Sequence, residues 1–481
     1  SVLVIMYFNV FKKSAQLQKI YIFLIIVFNI ALNGIIVYHP KFGNYVSEFI
    51  DSKKVQKTIE NSAVSLLPEI QDNTFYRIET FGDGIQNEAL TLKYNDVAGY
   101  FSIMDKRVTE YMKGLELLSQ VTAFRFNNLD YRTTLDALAS VKYILTNDIK
   151  AAPYAYKLLY KEKVDGKTYY LLENQFNLPL GYTYDKFISR ESYEKLSALE
   201  KQEIMLQAIV LENPISGISQ VTIGGENQNT MDLLNFNTQE LETTIHPSKD
   251  IEITGNKIRV LKKGAKLRVY FKGIKKSETY LRLENFDIND TNYFGIKLSA
   301  KGENEAKNKI DVRAISNNNY FGKTHYLVNV GYNKKAINYC DITFNNKGTF
   351  NIEDLQVYAL PMDNHGKLIK ELKKDSLENT QIKNNMVTGT ITLDNDKMLC
   401  LSIPYSKGWT AFVDGKKTEL LQANVMYMGL PLMAGSHTIK LVYVTPYLRE
   451  GIIISIVGLI ILIGIIVYHH FYKRKSNVIA S

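Results

Sequence analysis

Two long apolar runs bracket a polar interior. From Ile20 to Tyr38 the chain reads IYIFLIIVFNIALNGIIVY, nineteen residues without a charge, in which Asn29 and Asn33 are the strongly polar side chains. From Gly451 to Tyr468 it reads GIIISIVGLIILIGIIVY, eighteen residues with no charge and one serine. At a rise of about 1.5 Å per helical residue, either run approaches the thickness of a bilayer's hydrocarbon core, roughly 30 Å. A lone segment in lipid must satisfy its own backbone hydrogen bonds, so even these β-branched runs are expected to be helical. The pattern predicts transmembrane helices over 18–39 and 450–470. Lys12, Lys13 and Lys19 precede the first span, and Lys473, Arg474 and Lys475 follow the second. Both basic flanks are expected in the cytoplasm, which places residues 40–449 outside the cell and leaves 471–481 as a cytoplasmic tail. Val2–Phe11 is apolar up to Lys12, so residues 1–11 are expected to end an earlier membrane helix. The chain is then read as the C-terminal part of a larger multi-pass membrane protein.

Between the spans the periodicity changes. Helical spacing over Val46–Ser65 and 102–118, alternation at Phe75–Glu79, and a strand at Val141–Leu145 predict a small α/β domain over 40–200. Lys157–Tyr160 and Thr168–Leu172 are expected to pair as a hairpin, closed by the positive φ angles that Asp165-Gly166 supplies. After Ser216 short alternating runs separated by Asn- and Gly-bearing turns take over, as in an antiparallel β-sandwich or jelly roll. One such domain is expected at 216–362, a linker or connecting helix at 363–385, and a second β-sandwich region at 386–446. The fold class is therefore α+β and membrane-anchored, with transmembrane helices flanking a large extracytoplasmic region.

Composition changes this picture little. The 481 residues carry 58 Lys and Arg against 49 Asp and Glu, a net charge of +9, which suits a membrane surface or an anionic polymer and gives no reason to expect nucleic acid as a partner. Two cysteines, Cys340 and Cys400, could form one bridge but no zinc site of several cysteines. No G-x-S-x-G occurs, and the seven histidines are scattered, so neither a catalytic residue nor a metal ligand is assigned. His469-His470 is read as a membrane flank, Phe81-Gly82-Asp83-Gly84 as a turn, and Asp130 and Asp136 as helix caps or solvated acids. The lone tryptophan is more informative. Trp409, Ala411 and Val413 alternate ahead of an Asp414-Gly415 turn, so their side chains share one face of a strand. Core packing is the ordinary fate of such a ring, and stacking on a sugar is the functional alternative, with Trp409, Asp414, Lys416 and Lys417 as possible contacts to sugar or polymer.

Six stretches also carry a family resemblance. Ala139-Ser140-Val141-Lys142-Tyr143-Ile144-Leu145-Thr146 is followed by Tyr169-Tyr170-Leu171-Leu172-Glu173-Asn174 and Leu178-Pro179-Leu180-Gly181-Tyr182. Later come Gly408-Trp409-Thr410-Ala411-Phe412-Val413-Asp414-Gly415-Lys416-Lys417, Met428-Gly429-Leu430 and Ala434-Gly435-Ser436-His437-Thr438-Ile439. As an ordered set these resemble the bacterial YfhO membrane proteins. The resemblance implies a polytopic, GT-C-like glycosyltransferase that takes sugar from a polyprenyl-phosphate donor and glycosylates an envelope polymer of the lipoteichoic acid type in Gram-positive bacteria. It further implies membrane lipid, an anionic cell-wall polymer and the parent's remaining transmembrane helices as partners. The family's acidic catalytic loop lies near its start, ahead of this sequence, so its catalytic residues map onto no position here. The alternative is a non-catalytic envelope scaffold or polymer-binding protein.

Overall fold

A computed structural model of the chain describes residues 15–39, 52–82, 87–223, 233–234, 236–288, 295–302, 307–317 and 320–479. It divides into two compact units, Ser1–Ser65 and Leu66–Ser481. In the first, the helix Ala15–Tyr38 carries the N-terminal apolar run. Its polar residues satisfy one another, with Asn33 Nδ2 donating to Asn29 O at 2.9 Å and to Asn29 Oδ1 at 2.7 Å. The apolar stretch of this helix is Ile22–Tyr38. A second helix, Ser52–Glu60, covers part of the periodic stretch expected from Val46. Residues 1–11 and 46–51, and Asp83 and Gly84, lie outside the described residues.

The second unit starts from a mixed four-stranded sheet in the spatial order Arg77–Phe81, Val141–Thr146, Lys167–Asn174, Tyr156–Val164. The first pair is parallel and the others antiparallel. The expected hairpin turn is present, with Asp165 at φ 48° and Gly166 at φ 83°. The helix expected over 102–118 is shorter, Lys106–Gly114, because Asp105 caps it by accepting from Arg107 N at 2.8 Å. The helix Thr133–Leu138 packs beside this sheet with every residue buried. Asp136 lies inside it and Asp130 just before it, both buried, so neither faces solvent. Asp130 instead accepts from the backbone N–H groups of Leu118 and Ser119.

The expected boundary near residue 200 does not separate two domains. A seven-stranded sheet joins Gly181–Tyr184, Lys186–Ser189, Ile209–Leu211 and Ser219–Gln220 to Lys397–Leu401, Leu421–Ala423 and Tyr427–Leu432. The strand Lys397–Leu401 explains why. Met398 and Cys400 face the core that includes Tyr182 and Ile209, whereas Leu399 and Leu401 face a second core with Leu430 and Leu441. A strand buried on both sides reads as a continuous apolar run, and this sheet is the shared middle layer of the unit. Its outer face is covered by a five-stranded antiparallel sheet in the order Glu378–Lys383, Met386–Leu393, Gly435–Tyr443, Trp409–Val413, Lys416–Thr418. Residues 386–446 thus complete a sandwich with strands from 181–220. The expected linker contains a helix, His365–Lys374, followed by the first strand of that outer sheet.

Two facing antiparallel sheets form an insertion between the edge strand Ser219–Gln220 and the helix His365–Lys374. One sheet contains Ser277–Glu284, Tyr326–Asn333 and Asp354–Pro361, the facing one Lys266–Phe271, Gly295–Gly302 and Tyr339–Phe344. Between them lies a separate core around Leu281, Val328, Ile342 and Phe350. Polar contacts hold the insert to its host: Arg282 meets Glu116 through both Nε and Nη2, and Thr133 Oγ1 donates to Glu278 at 2.8 Å. Cys340 belongs to the insert's core and Cys400 to the host's, and both are free thiols that burial pushes up to about 12.

The chain closes on the helix Leu448–Ile479, whose segment Leu448–His469 is 22 residues long with none of it buried. Among the described residues this is the one helix long and apolar enough to cross a membrane.

Candidate functional site

Trp409 opens the strand Trp409–Val413 and sits opposite Tyr443, the two ring centroids 5.1 Å apart. The preceding Gly408 is required there. A Cβ on it would lie 2.5 Å from Val444 O and 2.6 Å from the Tyr443 ring. The indole is half-buried against the core of the outer sandwich. Its exposed part lines a cleft of about 670 Å³ that it shares with Phe75, Tyr94, Tyr100, Phe101 and Ile382. Core packing and an accessible aromatic face, alternatives from the sequence, coexist in this one side chain.

The facing wall is built from the segment before and after the first strand of the unit. Arg77 anchors it: Nη1 donates to Ala139 O at 2.7 Å and Ser402 Oγ at 3.0 Å, Nη2 to Ser402 O at 2.7 Å, and the guanidinium lies 5.1 Å from the centre of the Phe75 ring. The two bonds to Ser402 tie residue 77 to residue 402 and so hold the two walls together. Asn87, in the left-handed region at φ 58°, fixes Tyr100 by donating to its carbonyl at 3.0 Å and accepting from its N–H at 3.1 Å. The loop 94–98 is pinned to the strand edge by Ile78 N donating to Asn95 O at 2.8 Å.

Asp96 supplies the acidic group among the cleft's lining residues. It accepts from Val97 N at 2.6 Å and Ala98 N at 3.0 Å, yet burial outweighs these bonds and pushes its carboxyl up to about 6. Glycoside hydrolysis needs two carboxyl groups facing each other across the bond to be cut, and one carboxyl does not meet that requirement. Aromatic faces with a few fixed polar groups form a recognition surface for a ring that is apolar on one face and hydroxylated at its edges.

The other residues singled out from the sequence lie elsewhere. Asp414 is five residues along the strand from Trp409, about 17 Å at the usual rise. With Gly415 it makes the expected turn, φ 52° and 77°. Its Oδ2 meets His437 Nδ1 at 2.8 Å and its Oδ1 accepts from Thr438 N at 2.8 Å, so hydrogen bonds hold Asp414 below the usual carboxylate range and His437 above the usual imidazole range. Lys416 and Lys417 are exposed on the following strand. Trp409 is therefore separated from the other three. Among the described residues no group of three His, Cys, Asp or Glu side chains could hold a metal. Phe75, Tyr94, Asp96, Tyr100 and Phe101 escaped the sequence reading. The crowding of Tyr94, Tyr100 and Phe101 into a turn-rich stretch was the available signal.

Comparison with known proteins places the geometry in context. The model of the family "Bacterial membrane protein YfhO" matches residues 1–455. The uncharacterized protein YfhO of Bacillus subtilis (strain 168) is 23% identical over 438 residues, covering 89% of this chain and 47% of the relative. The chain thus spans about half the length of that curated relative. Among solved structures, arabinofuranosyltransferase AftD from Mycobacteria aligns over 79% of this chain and 63% of its own at 8% identity and a TM-score of 0.31. The C-terminal CBM6 of LamC from Zobellia galactanivorans aligns over 26% of this chain and 99% of its own at 11% identity and a TM-score of 0.18. Overlaps at these scores establish neither a shared fold nor a shared activity.

Proposed function

Because the chain belongs to the YfhO family of bacterial membrane proteins, we propose that it is the C-terminal part of a polytopic, GT-C-like envelope glycosyltransferase. In this reading its β-rich unit holds the acceptor. The parent transfers sugar from a polyprenyl-phosphate donor to an anionic polymer of the lipoteichoic acid type, with an acidic residue upstream of this chain activating the acceptor hydroxyl. Both apolar helices span the plasma membrane, residues 40–449 lie outside the cell, and the remaining transmembrane helices of the parent complete the catalytic half. The aromatic cleft around Trp409 supports this reading most directly. A saccharide laid on Trp409 and Tyr100 would direct its edge hydroxyls to Asp96 and the neighbouring asparagines. The exposed Lys416 and Lys417, on the same sheet, would meet the polymer's phosphates farther along.

Trp409 is the chain's single tryptophan, so its emission reports the cleft without a label. The full chain in detergent, titrated with glycosylated and bare glycerol-phosphate oligomers, should show a saturable change in Trp409 emission that is stronger for the glycosylated series. No change with either series would refute acceptor binding in this cleft. Sugar transfer by purified residues 40–446 alone would refute the division of labour between this region and the upstream half.

A further inference from the structure

The rim of the Trp409 cleft carries large apolar side chains beside the exposed Asn95 and Asn384. Leu90 and Ile103 are each 81% exposed, Phe101 59% and Ile382 46%. Leu90, Phe101 and Ile382 line the mouth itself, and Ile103 lies two residues beyond Phe101. Scattered surface leucines need no explanation, but four large side chains gathered around one opening do.

The chain's path says what covers them. The cleft lies at the end of the outer sheet from which the C-terminal helix departs. Val444 N donates to Gly408 O at 2.9 Å, and Asn385 Nδ2 donates to Tyr443 O at 2.7 Å, which fixes the 382–386 hairpin tip beside Trp409. Pro446 packs on Gly408 as well, a Cβ there meeting its Cδ at 3.1 Å. The C-terminal helix begins two residues later, at Leu448, and after Arg449 and Glu450 its uncharged run starts at Gly451. Five residues from Pro446 reach about 17 Å at most, so the Trp409 end of the cleft lies within roughly that length of chain from the point where the polypeptide enters the bilayer. Exposed Tyr447, at 77%, sits at that junction, where an amphipathic ring is favoured. Exposed Lys383 and Lys407 flank Ile382 and Gly408, cations suited to anionic headgroups.

We infer that Leu90, Phe101, Ile103 and Ile382 form an apron that docks on the bilayer surface, so that the Trp409 cleft opens at the level of the lipid headgroups. A soluble polymer would have to slide under the apron, whereas a chain anchored in the same leaflet would enter along it. The inference needs only the C-terminal span and the geometry of the rim, so it stands or falls separately from saccharide binding.

The single tryptophan makes it measurable. The full chain is reconstituted into vesicles of phosphatidylglycerol and phosphatidylcholine carrying nitroxide labels either at the headgroup or deep in the acyl chain. Headgroup labels should quench Trp409 more than deep labels do, with quenching independent of the protein-to-lipid ratio. Replacing the two most exposed residues, Leu90→Glu with Ile103→Glu, should lower headgroup quenching by about twofold while leaving the fold intact, since neither side chain is packed. Tethering by the helix alone would give equal quenching in both proteins and overturn the inference. Quenching that appears only when the protein is crowded would assign the apron to a second copy and overturn it too. Saccharide-induced emission changes in detergent, measured on the same proteins, keep a failure of docking distinct from a failure of the cleft to bind sugar.

Discussion

Replacing Glu79 by glutamine should stabilise the protein at alkaline pH, although Glu79 is fully buried in the first sheet of the host. One oxygen, Oε1, accepts from Leu129 N, and on the neighbouring helix Asp136 Oδ2 accepts from Tyr156 Oη at 2.9 Å. The other two oxygens, Glu79 Oε2 and Asp136 Oδ1, are buried without a hydrogen-bond partner, and the charge of Asp136 acts on Glu79. Two buried carboxyl groups that feel each other's charge do not both ionise, so one keeps its proton. Burial first, and then the negative charges of Asp136 and Asp130 on Glu79 and of Glu278 and Asp130 on Asp136, holds both groups well above the ordinary carboxylate range. The native pair therefore retains a proton that the unfolded chain releases. With more protons on the folded state, stability falls as pH rises above the unfolded value. The slope is about 1.4 kcal/mol per pH unit for each proton retained, or about 4 kcal/mol between pH 5 and pH 8 if the pair stays protonated throughout. In Glu79→Gln the amide oxygen still accepts from Leu129 N and the side chain is neutral at every pH, so one retained proton is no longer needed. Wild type and variant should match near pH 5 and diverge toward pH 8, the variant becoming more stable by up to that amount. Denaturant unfolding in detergent at several pH values measures the difference and cancels the contributions of Asp130, Glu203 and Glu278, whose pKa values are also raised. A variant less stable than wild type at pH 8, or a pH-independent difference, would refute a proton retained by this buried pair.

Other consequences are equally specific. Tyr100→Ala, which removes one wall of the cleft and keeps the Trp409 reporter, should weaken saccharide binding by roughly tenfold, a loss of about 1.4 kcal/mol; unchanged affinity would place the ligand elsewhere. Because Asp96 titrates at about 6, sugar hydroxyls that donate to its carboxylate should bind better at pH 7 than at pH 5, and Asp96→Asn should abolish that dependence in fluorescence titrations. Gly408→Ala forces a methyl group against Val444 O and Tyr443; it should cost about 1–3 kcal/mol in denaturant unfolding and shift Trp409 emission. Arg77→Ala removes three hydrogen bonds, two of them joining the walls through Ser402; it should destabilise the protein by about 3 kcal/mol and lower saccharide affinity with it.

Local patterns were legible along the chain because they rest on local physics. The Asp165-Gly166 hairpin, the alternating strands of the inserted sandwich and the apolar C-terminal helix follow from turn geometry, side-chain alternation and composition. The interlocking of the host did not. Lys397–Leu401 pairs with Gly181–Tyr184 across an intervening sandwich, and nothing near residue 400 names a partner more than 200 residues away. The same separation hid the cleft. Trp409 announced itself as a lone tryptophan, but its companions Phe75, Tyr94 and Tyr100 come from the opposite end of the unit. Asp130 and Asp136 read as helix caps or solvated acids, because acids beside a helix start usually are one or the other. Their burial depends on the packing of sheet and insert around one short helix.

Sugar transfer by the full-length parent tests the central proposal most directly. Membranes containing it, supplied with a polyprenyl-phosphate sugar donor and a glycerol-phosphate polymer, should show donor-dependent glycosylation of the polymer. Trp409→Ala and Tyr100→Ala should raise KM for the polymer while leaving kcat within about twofold, as expected when ground-state acceptor binding is lost and the chemistry lies elsewhere. Absence of transfer by the intact parent, or transfer with an unchanged KM in both variants, would contradict it.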